Sequence, residues 1–228
     1  LELEIDPLEQ IDEDAFSKSL NVTQECNEAL KMLKGNREER IQGLRIFCEY
    51  RDSRSFPLLL PLLDQPCPVE RMSVVYALGR NPCPSAVEKL VRLLETDDNA
   101  YVRRATAWSL ANYDNQIVLE PLINALKNDV AAVRLWSSSS LAEIGNVSLE
   151  NAQLAAEQLL ISLKIDNESG VRSNCIWSLC RLYEKLNNIY QESFVDECTK
   201  IALFDKEPSV MEEAKTALDS MGMQGFYN

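Results

Sequence analysis

Apolar and polar positions recur along this chain in a fixed pattern. The segment Val102-Arg103-Arg104-Ala105-Thr106-Ala107-Trp108-Ser109-Leu110 matches Val133-Arg134 through Leu141, Val171-Arg172 through Leu179 and Val210-Met211 through Leu218. Looser copies run from Glu70-Arg71 to Leu78 and from Glu39-Arg40 to Phe47. The six windows begin at 39, 70, 102, 133, 171 and 210, with spacings of 31, 32, 31, 38 and 39 residues, the period of a helical repeat array. If the first residue of each window is position 0, then positions 0, +4, +7 and +8 share one face of a helix turning 100° per residue. Position +4 reads Gly43, Val74, Thr106, Ser137, Cys175 and Ala214, mostly small residues that let a neighbouring helix approach closely. Each window therefore predicts an amphipathic helix, here termed B.

A second apolar helix, A, precedes each window. The segments Ala29-Leu33, Phe56-Leu63, Val87-Leu94, Val118-Leu126, Ala156-Leu163 and Thr199-Leu203 mark the C-terminal halves of these helices. The intervening turns hold Asp64, Asp97, Asp129, Asp166 and Asp205, acceptors suited to the start of the following helix. Pro66, Pro68, Pro82, Pro84 and Pro208 lie in or beside turns, whereas Pro61 and Pro121 fall within A helices and are expected to kink or shorten them. Helix pairs stacked in this way bury their apolar faces against their neighbours and form an all-α solenoid of six pairs. The expected layout is an acidic N-terminal lead or cap over residues 1–22, the solenoid over 23–221, and a short C-terminal tail over 222–228. The longer spacings near 145–168 and 186–207 predict longer helices or loops in the last repeats.

Composition narrows the functional classes. With 36 acidic against 23 basic side chains, the net charge is −13, and a field of that sign disfavours nucleic acid and anionic membrane as partners. Residues 1–20 carry seven acids against the one base Lys18, so nearly half of the excess sits in the lead. The chain has no histidine, which rules out Ser-His-Asp, Cys-His and His-metal sites. Seven cysteines, an odd number, and the lack of a run of about 18 apolar residues point to a soluble, reducing, cytoplasmic compartment, with a plastid stroma as the alternative.

The units from Asp129 to Leu141 and from Asp166 to Leu179 share the form Asp-x(3–5)-Val-Arg-x-x-small-x-x-x-Leu. They resemble HEAT-like repeats of the phycobilisome-lyase type, over roughly residues 23–221. The stretch from Ala100 to Gly145, with Val171 to Leu179, is similar to cyanobacterial HEAT proteins related to bilin lyase subunits. The resemblance implies either of two activities. One is a scaffold or adaptor that holds a protein partner, such as an iron–sulfur carrier, on its concave face without a cofactor of its own. The other is a phycobilin lyase, or lyase subunit, that handles a transient phycobilin and works with a lyase partner subunit to attach it to a phycobiliprotein cysteine. The resemblance also implies a structural ladder between neighbouring turns, with Arg71, Arg103, Arg134 and Arg172 facing Asp97, Asp129 and Asp166; Arg40 and Asp64 occupy matching positions. Met211 replaces the arginine in the last unit, as suits a terminal cap.

Positions +2, +6 and +9 point away from the buried face of each B helix, toward the surface on which solenoids usually bind. Position +6 reads Arg45, Tyr76, Trp108, Ser139, Trp177 and Thr216. Tyr76, Trp108 and Trp177 are thus the candidate anchors of a concave partner-binding face. Met72, Arg104 and Leu135 join them at +2, and Arg80 and Asn112 at +10. Aromatic and arginine side chains together are the usual composition of a protein-contact hot spot. Flat rings could equally stack on a tetrapyrrole whose propionates pair with Arg80 or Arg104, or lean into the core between repeats. Cys67 and Cys83 each sit between two prolines, but a helix of about 18 Å separates them, and no C-x-x-C occurs. Cys175 and Cys180 face different directions, and Cys26, Cys48 and Cys198 belong to no motif. The polar run Ser137 to Ser140 lies within a B helix, where compact packing or a close partner accounts for it. No catalytic, cofactor or metal residues are assigned.

Overall fold

A computed structural model of the chain describes residues 19–223. Among these are twelve α-helices and no strand. The chain divides after Cys83 into two compact units. The first holds α1 (Ser19–Met32), α2 (Arg37–Glu49), α3 (Phe56–Leu62) and α4 (Pro68–Arg80). The second holds α5 (Val87–Thr96), α6 (Ala100–Leu110), α7 (Leu119–Asn128), α8 (Ala131–Gly145), α9 (Leu149–Ile165), α10 (Ser169–Leu182), α11 (Asn188–Phe204) and α12 (Pro208–Ser220). These are six A–B pairs, an all-α solenoid. In the second unit α5, α7, α9 and α11 form one layer and α6, α8, α10 and α12 the other, each helix touching the next in its layer. In the first unit α1 packs on α2, α3 on α4, and α2 on α4.

Helix α1 begins within the stretch expected to be an acidic lead; residues 1–18 and most of the expected tail lie outside the described residues. The longer spacings late in the chain are taken up by helix, since α9 and α11 each run for 17 residues. The two A-helix prolines behave differently from one another. Pro61 lies inside α3, which ends one residue later after only 7 residues. Pro121 sits in the first turn of α7, where no intrahelical N–H bond is required, so the expected kink does not form. A single turn of 3-10 helix, Gln116–Val118, moves the start of that A helix to Leu119.

Local signals start several helices. Asn36 and Glu39 form a reciprocal capping box on α2, with the Glu39 amide donating to Asn36 Oδ1 at 3.1 Å and the Asn36 amide to Glu39 Oε2 at 2.7 Å. Asn99, Ser148 and Asn187 cap α6, α9 and α11. Proline occupies the first position of α4 and of α12. The buried face is the expected one: Val102, Val133, Val171 and Val210 at position 0, and Leu110, Leu141, Leu179 and Leu218 at +8, are all buried. Each such side chain contributes about 2 kcal/mol of transfer free energy. Gly43 at +4 lies against α1, where a Cβ would approach the Ala29 carbonyl to 3.0 Å.

Position +7 carries a polar staple between successive B helices. Ser140 Oγ donates to the Ala107 carbonyl at 2.7 Å, and Ser178 Oγ donates to the Ser138 carbonyl at 2.9 Å. Donor and acceptor are in each case at +7 and at +5 of the preceding window. Within the serine run of α8, Ser140 satisfies itself on the neighbouring backbone and Ser138 donates to Leu135 of its own helix. The buried Ser137 hydroxyl has no hydrogen-bond partner among the described residues, so close packing accounts for the small side chain there rather than a bond.

An arginine–aspartate rail runs along the turns of the second unit. Arg103 holds Asp129 through Nε at 2.8 Å and Nη2 at 2.7 Å. Arg134 holds Asp166 at 2.7 and 2.8 Å, and Arg172 holds Asp205 at 2.9 and 2.7 Å. The third arm of each guanidinium returns to its own turn, where Nη1 donates to the carbonyl of Asp97, Asp129 or Asp166. Asp97, Asp129, Asp166 and Asp205 also accept the amides of the residues that open the next helices, Asn99, Val130, Glu168 and Glu207. Each aspartate thus ends its A helix and closes the turn, while the residue whose amide it holds takes the N-cap position of the B helix. In the first unit Arg71 donates to the Gln65 and Pro66 carbonyls. There Arg40 pairs with the buried Glu70 at 2.5 Å, and not with Asp64 as the resemblance implies. Glu70 stands at position 0, closer to the helix axis than a turn residue, and Asp64 is exposed.

Burial opposes ionisation of Asp166 and Asp205, but hydrogen bonds from Arg134 and Arg172 and from the turn amides outweigh it and hold both carboxyls below the usual aspartate value. A depressed folded-state pKa stabilises the fold above the unfolded value and loses that contribution as pH falls through the folded one. Urea midpoints should therefore fall as pH drops below about 4, and Asp205→Asn should flatten that dependence. Arg172→Ala, which strands a buried carboxylate, should cost about 3 kcal/mol near neutral pH, measured by urea unfolding.

Candidate partner-binding face

The outward positions of α6, α8 and α10 form one continuous face of the second unit. Arg104 and Trp108 project from α6 and are half-buried, and Asn112 follows its end, exposed. Leu135 and Ser139, both half-buried, come from α8. Trp177, 39% exposed, comes from α10. Tyr76 and Arg80 lie on α4 in the first unit, both half-buried.

Trp177 is the best-defined anchor. The Arg181 guanidinium lies 5.0 Å from the centre of its ring, a cation–π contact, and Arg181 Nη2 also reaches Glu143 Oε1 on α8 at 2.8 Å. One turn earlier on α10, Asn174 Nδ2 donates to the Leu135 carbonyl at 3.0 Å, Ser138 Oγ at 2.7 Å and Ser139 Oγ at 2.6 Å. This staple ties α10 to α8 and keeps the floor of the face in place. At the other edge the Arg104 guanidinium lies 5.5 Å from the centre of the exposed Tyr101 ring. Each arginine thus lies over an aromatic ring, an arrangement that reduces the ordering cost of such a side chain in any contact it makes.

Tyr101, Glu143, Asn174 and Arg181 were not among the sequence candidates. Two of them were within reach of the periodicity, since Glu143 and Arg181 occupy +10 of their windows, the position that singles out Arg80 and Asn112. Tyr101 and Asn174, at −1 and +3, carry no such signal.

A cleft of 340 Å³ opens between α5 and α7, lined by Leu94, Pro121, Ala125 and Val130 with Glu95 and the amides of Asn124 and Asn128. Arg103 borders it, but its donors are already taken by Asp129 and by the turn carbonyls. The rail accounts for this guanidinium without a ligand.

The cysteines fall into two chemical groups. Burial pushes the Cys48 thiol up to about 11 and Cys180 to about 12, and raises Cys26, Cys175 and Cys198 as well. Cys67, at the N-cap of α4, is shifted the other way by the backbone amides of Glu70 and Val69 and by Arg37, whose Nη2 donates to Sγ at 2.9 Å. Cys83 is buried just past the opposite end of α4. Among the described residues no group of three or more His, Cys, Asp or Glu side chains could hold a metal ion, and no helix is long and apolar enough to cross a membrane.

The HEAT-repeat profile matches residues 27–111 and 87–180. No curated protein matches the chain. Among solved structures, an engineered protein superposes with a TM-score of 0.61 at 20% identity, over 86% of this chain and 97% of its own. A designed armadillo repeat protein gives 0.58 at 19%, over 88% and 98%. A second designed armadillo repeat protein, solved in complex with the peptide (KR)4, gives 0.55 at 18%, over 98% and 100%. At these identities the likeness concerns the fold alone.

Iodoacetamide at about pH 7.5 should alkylate Cys67 ahead of Cys48, Cys175, Cys180 and Cys198, and Arg37→Ala should slow that reaction, as peptide mass spectrometry after timed quenching would show.

Proposed function

This chain belongs to the HEAT-repeat family, and from that premise we propose that it is a binding scaffold whose B-helix face holds a protein partner. The observation that carries the reading is Trp177, exposed, with Arg181 over its ring and that arginine held in turn by Glu143, on a helix that Asn174 staples to α8. A ring held by a cation on a stapled floor is preorganised, and preorganised aromatic and arginine anchors dominate protein-contact energetics. Trp108 and Arg104 extend the same chemistry by two B helices.

Charge indicates what such a partner presents. The designed armadillo protein above is complexed with a polybasic peptide. On α6, α8 and α10 the outward charges are Arg104, Arg181 and Glu143, and Glu143 is engaged by Arg181. This face therefore suits a partner that offers apolar or aromatic side chains with carboxylates rather than a run of lysine and arginine. The resemblance of the repeats to the phycobilisome-lyase type narrows the partner to a phycobiliprotein, a lyase partner subunit or an iron–sulfur carrier.

Affinity capture with the full chain, followed by mass spectrometry and a visible absorption spectrum of the eluate, tests the proposal. Recovery of an iron–sulfur carrier supports the adaptor role, whereas phycobiliprotein or lyase subunits with bilin absorbance support the pigment role. A Trp108→Ala/Trp177→Ala variant should lose at least about tenfold in partner recovery while keeping its helical circular dichroism. Undiminished recovery by the folded variant would falsify the assignment of this face.

A further inference from the structure

The A-helix layer of the second unit changes character between its first and last repeats. Counting back from the turn aspartates, positions −5, −2 and −1 are Arg92, Glu95 and Thr96 before Asp97, and Asn124, Lys127 and Asn128 before Asp129. The same positions become Ile161, Lys164 and Ile165 before Asp166, and Lys200, Leu203 and Phe204 before Asp205. The apolar side chains are not buried: Phe204 is 80% exposed, Ile165 72%, Leu203 43% and Ile161 42%. Leu154, also 42% exposed, extends the stripe along α9, and α9 and α11 are neighbours in the layer. The five side chains leave on the order of 500 Å² of apolar surface in water, the size of the largest patches on monomeric proteins, which are often functional.

That area matches one side of a standard interface, which buries about 800 Å² per partner with a little over half of it apolar. The charges beside the stripe favour a particular occupant. Glu157 and Lys164 on α9 are both exposed, and neither makes an ion pair among the described residues. They are seven residues apart, hence within about 20° of each other around the helix and on the same flank of the stripe Leu154–Ile161–Ile165. They also lie four residues before and three after Ile161. A twofold axis crossing α9 near Ile161 and perpendicular to it brings a second α9 antiparallel to the first. It sets each flank against the same flank of the other copy, so Glu157 meets the other copy's Lys164 and the contact forms twice. A parallel arrangement would not pair them.

We infer that this chain forms a twofold dimer through the A-helix face of α9 and α11, with Ile161 at the centre, Ile165, Leu203 and Phe204 around it, and two reciprocal Glu157–Lys164 pairs. A closed isologous contact of this kind consumes the apolar patch and leaves the B-helix face of both copies open.

Sedimentation velocity of the full chain over about 1 to 100 µM tests it, with circular dichroism as the check on folding. The expected result is a concentration-dependent shift to twice the chain mass, abolished by Ile161→Lys. Glu157→Lys alone and Lys164→Glu alone should each weaken dimerisation about tenfold, because either creates two like-charge contacts. The double swap Glu157→Lys/Lys164→Glu should restore it, and the Trp108→Ala/Trp177→Ala variant should dimerise as the parent does. A chain that remains monomeric at the highest concentration would overturn the inference, whether a heterologous partner or another segment of the chain covers the patch. So would a folded Ile161→Lys variant that dimerises unchanged, or a double swap no better than the single ones.

Discussion

The structure of the second unit depends on the double duty of its turn aspartates. Each of Asp129, Asp166 and Asp205 closes the turn that opens its own B helix and at the same time receives the bidentate guanidinium of the preceding repeat. A helix pair has no large core of its own, and apolar burial alone leaves a stacked pair free to slide. The guanidinium fork removes that freedom, because its planar geometry accepts one register and its third arm is bonded to its own turn. At Arg172 and Asp205 both side chains are nearly buried, so an imperfect fit there would leave charge uncompensated. The rail ends where Met211 takes the place of arginine, and no further repeat is described beyond α12.

Much of this was legible in the sequence. The windows beginning at 39, 70, 102, 133, 171 and 210 predict six B helices, and all six are present with their +8 side chains buried and, except for the exposed Glu39 of the first window, their position-0 side chains buried as well. Periodicity locates helices because it reports which positions must leave water. It says little about partners chosen by geometry. Glu70 reads as a departure from the repeat, yet it is the buried acceptor of Arg40. Pro121 reads as a helix breaker, and a preceding 3-10 turn makes it a helix starter. On the outward face of the B helices the rings are visible through their +6 spacing, whereas Asn174, whose single amide bonds three groups on α8, has no periodic signature at all.

The staples explain how the face stays ordered while its anchors are exposed. Ser140 and Ser178 at +7 bind α8 to the backbone of α6 and α10 to that of α8, and Asn174 adds a second tie between α10 and α8. Although Ser139 at +6 accepts from Asn174, and Arg181 and Glu143 at +10 pair between α10 and α8, the serine bonds run to backbone carbonyls, so the rings at +6 bear little of the cohesion between repeats. They are free to differ, and they do: +6 carries Trp108, Ser139 and Trp177 on three successive helices.

The same separation operates on the opposite layer. At −5 and −1 from the turn aspartate the A helices carry Asn124 and Asn128, then Ile161 and Ile165, while Asp129 and Asp166 each receive the same bidentate arginine. A solenoid permits this because cohesion is concentrated in the buried positions and the aspartate–arginine rail, and each outer surface can then take on chemistry of its own. Exposed isoleucine and phenylalanine contribute nothing to the fold of the repeat that carries them and raise its tendency to associate. The most exposed isoleucine and phenylalanine side chains, Ile165, Ile189 and Phe204, lie at the ends of the two adjacent A helices α9 and α11, and the packing of the repeats gives no reason for them to be there.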